Sequence, residues 1–220
     1  MKRVVSAITV GLTSAGLLAS AGGGTQAGME MSYFFTDAQR QNIEAAHNQL
    51  NEHWSRQLGS EATSQLAIIE GDATFTCNGV DFTRSGDMLS PYYCAKKDTV
   101  VIAAGWMRSL MPILVPPEDH PQVTSIIMAH EHGHDVQYAV RQLPPVSWDD
   151  KPAWEQQADC LAGEASQAVF PDAVQAGHDF FAGLPDEFGI THGPSDRRTE
   201  AYDYGVANQG CLTAFLEYDY

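Results

Sequence analysis

Along the chain, apolar side chains recur at helical spacing in several stretches and at strand spacing in one. Ile43, His47, Leu50, Trp54 and Leu58 fall three or four residues apart, the stripe of an amphipathic helix. That helix is predicted to begin near Thr36, whose hydroxyl can cap the first turn with Gln39 answering three residues on. His47 lies on the stripe and is expected to be structural; His53 lies off it and is expected in solvent. Residues 71–98 are rich in Gly, Asp, Asn, Ser and Pro and read as loops. "TVVIAAGWM", residues 99–107, is β-branched and uninterrupted, the best candidate strand. A proline-punctuated loop follows over 111–121. From Pro121 to Leu143 the helical interval returns at Val123, Ile126, Ile127, His130, His134 and Tyr138, and Pro144–Pro145 closes the run. That stretch is far too long for one strand. Trp154, Ala158, Leu161, Ala162 and Ala165 give the next helix its apolar face, with Asp149 or Asp150 as cap, Pro152 in its first turn and Pro171 beyond its end. Two further helices are predicted over roughly 172–184 and 196–208, with Ser195 capping the second. The sum is an α+β chain, mainly helical, with a small β-region.

The extreme N-terminus follows another pattern. Lys2 and Arg3 precede an uncharged, apolar or small stretch from Val4 to Ser20, which reads as a signal peptide over residues 1–21. "ASA" at 19–21 offers a cleavage site, and "TQA" at 25–27 a second. The stretch is short and rich in Gly, Ser and Thr for a membrane anchor, so no stable membrane insertion is expected after its removal. Residues 22–35 read as a flexible start and 36–220 as one domain. Composition supports a globular chain, with 44% hydrophobic and 18% charged residues. Charge narrows the partners: 28 Asp+Glu against 12 Lys+Arg give −16, and losing Lys2 and Arg3 with the signal makes it −18. Nucleic acid would be repelled. Export suits disulfides, and Cys77, Cys94, Cys160 and Cys211 are even in number. Three pairings are possible; locality favours Cys77 with Cys94, leaving Cys160 with Cys211.

The chemistry concentrates in "HEHGH", residues 130–134. On a strand His130, His132 and His134 would share a face; on a helix His130 and His134 do, and His132 points away. The helix reading turns the segment into H-E-x-x-H, in which His130 and His134 can both reach one zinc ion and Glu131 lies beside them as acid/base. Gly133 costs about 1 kcal/mol inside a helix but lets another backbone approach closely. A catalytic zinc keeps three protein ligands and one open position. "WEQQADCLAGEA", 154–165, supplies Glu155 as the third, and Asp159 one turn later can accept the free N–H of a ligating imidazole.

H-E-x-x-H followed by E-x-x-x-D on the next helix resembles the gluzincin metallopeptidases. "HEHGHDVQ", "EQQADCLAG", "THGPSDRR" and "QGCLTAF", with "SPYYCAKKDTVVIAA" ahead of them, look like the bacterial neutral zinc metallopeptidase family. The likeness runs from about residue 75 to the C-terminus. It implies a zincin-like fold with an active-site helix, a following glutamate helix and an edge strand along the cleft. It also implies one catalytic Zn2+ on His130, His134 and Glu155, Glu131 as acid/base, and the pairs Cys77–Cys94 and Cys160–Cys211. Asp135 departs from it, since relatives often carry another histidine there.

On this reading the chain is a secreted peptidase. Glu131 takes a proton from a metal-activated water, and a second group stabilises the oxyanion. His192 is the first candidate, ahead of Tyr138, Arg198 and Tyr202; Arg197 and Arg198 otherwise read as surface or loop-pairing charges. The strand at 99–107 is expected to pair with an extended substrate. The alternative function is a metal-binding, catalytically weak extracellular binding protein on the same fold.

Overall fold

The computed structural model describes residues 34–71, 73–83, 90–109, 111–140, 151–185, 192–208 and 210–214. The predicted signal peptide, the Asp149–Asp150 cap and the C-terminal residues beyond 214 lie outside them.

The chain is mainly helical with a small sheet. Helix α1 spans Asp37–Leu58, and its start is the predicted capping box: the Gln39 amide donates to Thr36 Oγ1 at 3.2 Å and the Thr36 amide to Gln39 Oε1 at 3.0 Å. Its stripe of Ile43, His47, Leu50 and Trp54 is buried. His53 is buried too, against the expectation, because its ring packs edge-on to Trp54 and Gln57 bonds it at 2.8 Å.

Residues 71–98 hold more structure than loops. β1 (Gln65–Ile69) precedes a hairpin of β2 (Thr74–Cys77) and β3 (Val80–Thr83), then β4 (Tyr92–Cys94) and β5 (Thr99–Ala103). Asn78 and Gly79 turn the hairpin with φ of 54° and 80°, the positive pair that a two-residue turn between twisted strands requires. The three-stranded sheet has the order β1-β5-β4, with β5 parallel to β1 and antiparallel to β4.

β5 is therefore the central strand, and it has no free edge for a substrate. It is buried on both faces: Val100 and Ile102 enter the main core, while Val101 and Ala103 meet Ile69, Cys77 and Cys94 in a smaller one. That double burial accounts for its unbroken apolar run. The strand ends at Ala103 rather than residue 107, where the β-branched run stops and α2 (Ala104–Ser109) begins, with Ala104, Met107 and Arg108 favouring the helix against Gly105.

The predicted loop at 111–121 contains α3 (Met111–Leu114) and a 3-10 turn at Pro117–Asp119, and α4 starts at His120 with Pro121 in its first turn. α4 runs to Ala139 and is the central helix, with fourteen of its twenty residues buried. α5 (Lys151–Val169), α6 (Val174–Ala182), α7 (Ser195–Asn208) and α8 (Cys211–Ala214) complete the fold. α7 opens at Ser195, and the Arg197 and Arg198 amides donate to the Pro194 carbonyl. α5 and α7 touch through glycines: a Cβ on Gly163 would fall onto the Tyr202 carbonyl, and one on Gly205 onto that of Cys160. Disulfides join Cys77 to Cys94 and Cys160 to Cys211. No helix among the described residues is long and apolar enough to cross a membrane.

Candidate metal centre

The centre is built where α4 and α5 cross. Gly133 sits at the contact, and a Cβ there would lie 2.9 Å from the Ala158 carbonyl oxygen and 3.0 Å from its Cα. Lacking one, the two helix backbones come together, and side chains one turn either way meet. His130 and His134 project from α4 toward Glu155 on α5, as the helical period requires.

Three imidazoles converge on one oxygen. Glu155 Oε2 lies 3.4 Å from His130 Nε2, 3.2 Å from His134 Nε2 and 3.4 Å from His192 Nε2. That oxygen is buried and accepts no hydrogen bond. The ligand atoms of His130, Glu155 and His192 all lie within 4.8 Å of one another, a group able to hold a metal ion. A tetrahedral ion with bonds of about 2.0–2.1 Å sets its donors roughly 3.3–3.4 Å apart. The three distances to Glu155 Oε2 match that spacing, while the predicted ligand His134 meets Glu155 but is not in the group whose ligand atoms all lie within 4.8 Å of one another.

The far side of each α4 imidazole explains its aim. His130 Nδ1 lies 2.8 Å from Asp159 Oδ1, and a carboxylate can only accept, so Nδ1 carries a hydrogen and Nε2 is the nitrogen turned to Glu155 Oε2, where a cation would take the place of its proton. Asp159 is held in turn by a fork from Arg198, Nε to Oδ2 at 2.8 Å and Nη2 to Oδ1 at 2.7 Å. His134 Nδ1 lies 2.8 Å from Gln137 Oε1. Gln137 cannot be turned over, since its Nε2 donates to the Trp154 carbonyl and to Gln157 Oε1, both at 2.8 Å. His134 therefore donates through Nδ1 and turns Nε2 toward Glu155. Such orienting partners are the usual company of metal-binding histidines.

Charge in the centre follows the same plan. Burial alone would raise Glu155, but His134, His130 and His192 around it hold its carboxyl well below the usual range. Burial alone would lower His130, yet Asp159 and Glu155 outweigh it and lift the imidazole to about 10. A site that draws a proton this strongly is one that favours a cation. Glu131, one residue along α4, is 6% exposed and pushed up by burial, partly offset by His130 and His134. Burial holds the His192 imidazole down at about 4, so it is neutral at pH 7.

His130, Glu131, His192 and Arg198 line a cleft whose other wall is apolar, with Trp106, Leu114, Ile127, Phe180, Phe181 and Leu184. Ser90 and Pro91, which lead into β4, close one side.

Of the remaining predicted residues, Asp159 stands behind His130 and His192 lies among the donors. Arg198 is buried on Asp159 rather than exposed. Tyr202 is fully buried, with its hydroxyl donating to the Val174 carbonyl at 3.3 Å, too occupied to face the cleft. Tyr138 packs against Tyr93 and Trp154 and does not line the cleft.

His132 points away from the donors, is fully buried, and its Nε2 meets His47 Nδ1 at 3.0 Å, joining α4 to α1. Asp135 is also apart from the centre; burial, with Asp98 beside it, lifts its carboxyl to about 7, and Tyr93 donates to it at 3.3 Å. Sequence reasoning missed Gln137 and the Arg198 fork. Gln137 was visible as an amide one turn after His134, and Arg198 as the cation that a buried Asp159 needs. No family model, curated protein or solved structure matches the chain.

Proposed function

We propose that the chain is an exported zinc peptidase on a zincin-like fold, related to the gluzincins and to the bacterial neutral zinc metallopeptidases. The observation that carries this reading is the convergence of three imidazole Nε2 atoms on Glu155 Oε2, a buried oxygen without a hydrogen bond, with the Glu131 carboxyl alongside. His130, His134 and Glu155 would hold the ion, which suits two nitrogens and one carboxylate oxygen. When bound, zinc supplies the Lewis acidity that hydrolysis of an amide at neutral pH requires.

The protein's own part is positioning and proton transfer. Glu131 accepts a proton from the attacking water and returns it to the leaving amine nitrogen, a task suited to a carboxyl whose affinity for protons is raised by burial. The apolar wall excludes water from the reacting groups and holds a substrate side chain. The edge strand β4, with Ser90 and Pro91 on the cleft, replaces residues 99–107 as the strand along which a peptide would extend. Two disulfides suit an oxidising compartment, in keeping with the export signal read at the N-terminus.

A second reading, a metal-binding protein with weak catalysis, draws on His192, which comes as close to Glu155 as His130 does. One comparison separates the two. The purified chain is expected to bind about one zinc and to cleave peptides. Glu131→Gln is expected to keep the zinc and lose roughly 100-fold or more in activity. Equal cleavage by both proteins would sink the proposed mechanism, and zinc without any cleavage would favour the binding protein.

A further inference from the structure

We propose that His192 is a displaceable fourth ligand, which closes the metal centre at rest and withdraws when a substrate or inhibitor occupies the cleft. The inference rests on the peptidase reading and adds a resting state to it. His192 Nε2 stands 3.4 Å from Glu155 Oε2, the same distance as His130 Nε2, and its ligand atom is within 4.8 Å of both partners. A closed set of protein donors characterises structural zinc, whereas hydrolysis needs an open position. With His134 also 3.2 Å from Glu155 Oε2, four donors would close the ion, and hydrolysis then requires one of them to leave.

His192 is the donor built to leave. His130 and His134 lie in the middle of the central helix, with Nδ1 fixed by Asp159 and Gln137. Glu155 sits on α5 one turn from the tight contact at Gly133. Their side chains are only 7–12% exposed, while that of His192 is 29% exposed. His192 also stands outside α4 and α5, in the segment before α7, next to Gly193 at φ +84°. A Cβ on Gly193 would lie 2.6 Å from Gln156 Nε2, so this turn rests against α5 beside Glu155 and aims the imidazole at it. The same imidazole shares the cleft lining with Trp106, Phe180 and Leu184. An apolar side chain entering there passes beside His192, which couples occupation of the cleft to its release.

X-ray absorption of the zinc-loaded protein counts imidazoles at the ion without relying on activity. Wild type is expected to show three and His192→Gln two. Wild type saturated with a hydroxamate bearing an aromatic side chain is expected to show two. Zinc affinity of His192→Gln should fall at least as far as loss of an orienting partner would cause, about tenfold. Two imidazoles in both unliganded proteins would remove His192 from the centre and leave the peptidase reading standing. Three in the wild type with and without hydroxamate would make His192 a fixed ligand and overturn its displacement. A wild type that takes up no zinc would overturn the peptidase reading, and this inference with it. The paired wild-type spectra decide displacement even if the variant misfolds.

Discussion

His130 and His134 are oriented by chemically different partners, and the difference has a measurable consequence. Asp159 is a buried anion whose charge is matched by the Arg198 fork, and through His130 Nδ1 it makes the imidazole a better donor at Nε2. Gln137 offers His134 only a neutral carbonyl oxygen, so it fixes the ring's direction and tautomer without adding charge. Asp159→Asn keeps the shape and removes the charge. It also leaves the buried Arg198 without a counter-anion on Asp159, a costly arrangement. Metal affinity, read by competition with a chelator, should fall about 10–100-fold. Gln137→Met keeps the volume and loses the acceptor, and should cost less, toward the tenfold end of the same range. Equal affinity in Asp159→Asn and wild type would show that the Asp159 charge does not reach the ion.

At the scale of elements, the crossing of α4 and α5 decides whether the donors meet. Gly133→Ala gains about 1 kcal/mol of helix propensity. Against that, its Cβ would sit 2.9 Å from the Ala158 carbonyl oxygen, a backbone atom that can yield only if the helices part by a few tenths of an ångström. Overpacking of this kind costs about 1–3 kcal/mol. The two effects offset in part, leaving a net cost of about 0–2 kcal/mol in stability, whereas in the metal centre any parting draws Glu155 away from His134. Gly133→Ala is therefore expected to lower the melting temperature by no more than about 8 °C and to weaken zinc binding clearly. Gly105→Ala in α2, where an added Cβ meets nothing within 4 Å, serves as the control and should leave zinc binding unchanged. The sequence was legible where periodicity speaks: the stripe of α1, the H-E-x-x-H face of α4 and the Glu155–Asp159 turn of α5 all sit where spacing put them. It was less legible where partners come from far along the chain. Nothing local says that β5 is flanked on both sides, that Arg198 turns inward to Asp159, or that His192 closes on Glu155. The Asn78–Gly79 hairpin was legible and was passed over among the turn-forming residues around it.

For the molecule as a whole, the two disulfides should divide stability from function. Cys160–Cys211 closes a loop across 51 residues, worth roughly 4 kcal/mol in the chain-entropy picture, and Cys77–Cys94 spans 17, worth roughly 3 kcal/mol. By that measure they differ little. Their surroundings differ more. The Cys211 carbonyl accepts from Gln157 Nε2 at 3.4 Å, Gln157 Oε1 accepts from Gln137, and Gln137 orients His134. The Cys160–Cys211 bridge thus anchors the far end of a polar chain that ends at His134, one of the proposed ligands. Cys77–Cys94 instead ties the β2–β3 hairpin to β4 over the small apolar cluster with Ile69 and Val101. Replacing either pair by alanines should lower the melting temperature of the metal-free protein by several degrees. Only the Cys160→Ala/Cys211→Ala protein should also lose zinc affinity, as Gln157 and then Gln137 gain freedom. If both double variants bind zinc as wild type does, the glutamine chain is packing rather than support for the centre. If the Cys77–Cys94 variant loses zinc as well, the strands flanking the cleft hold the donors more directly than their distance from α5 suggests.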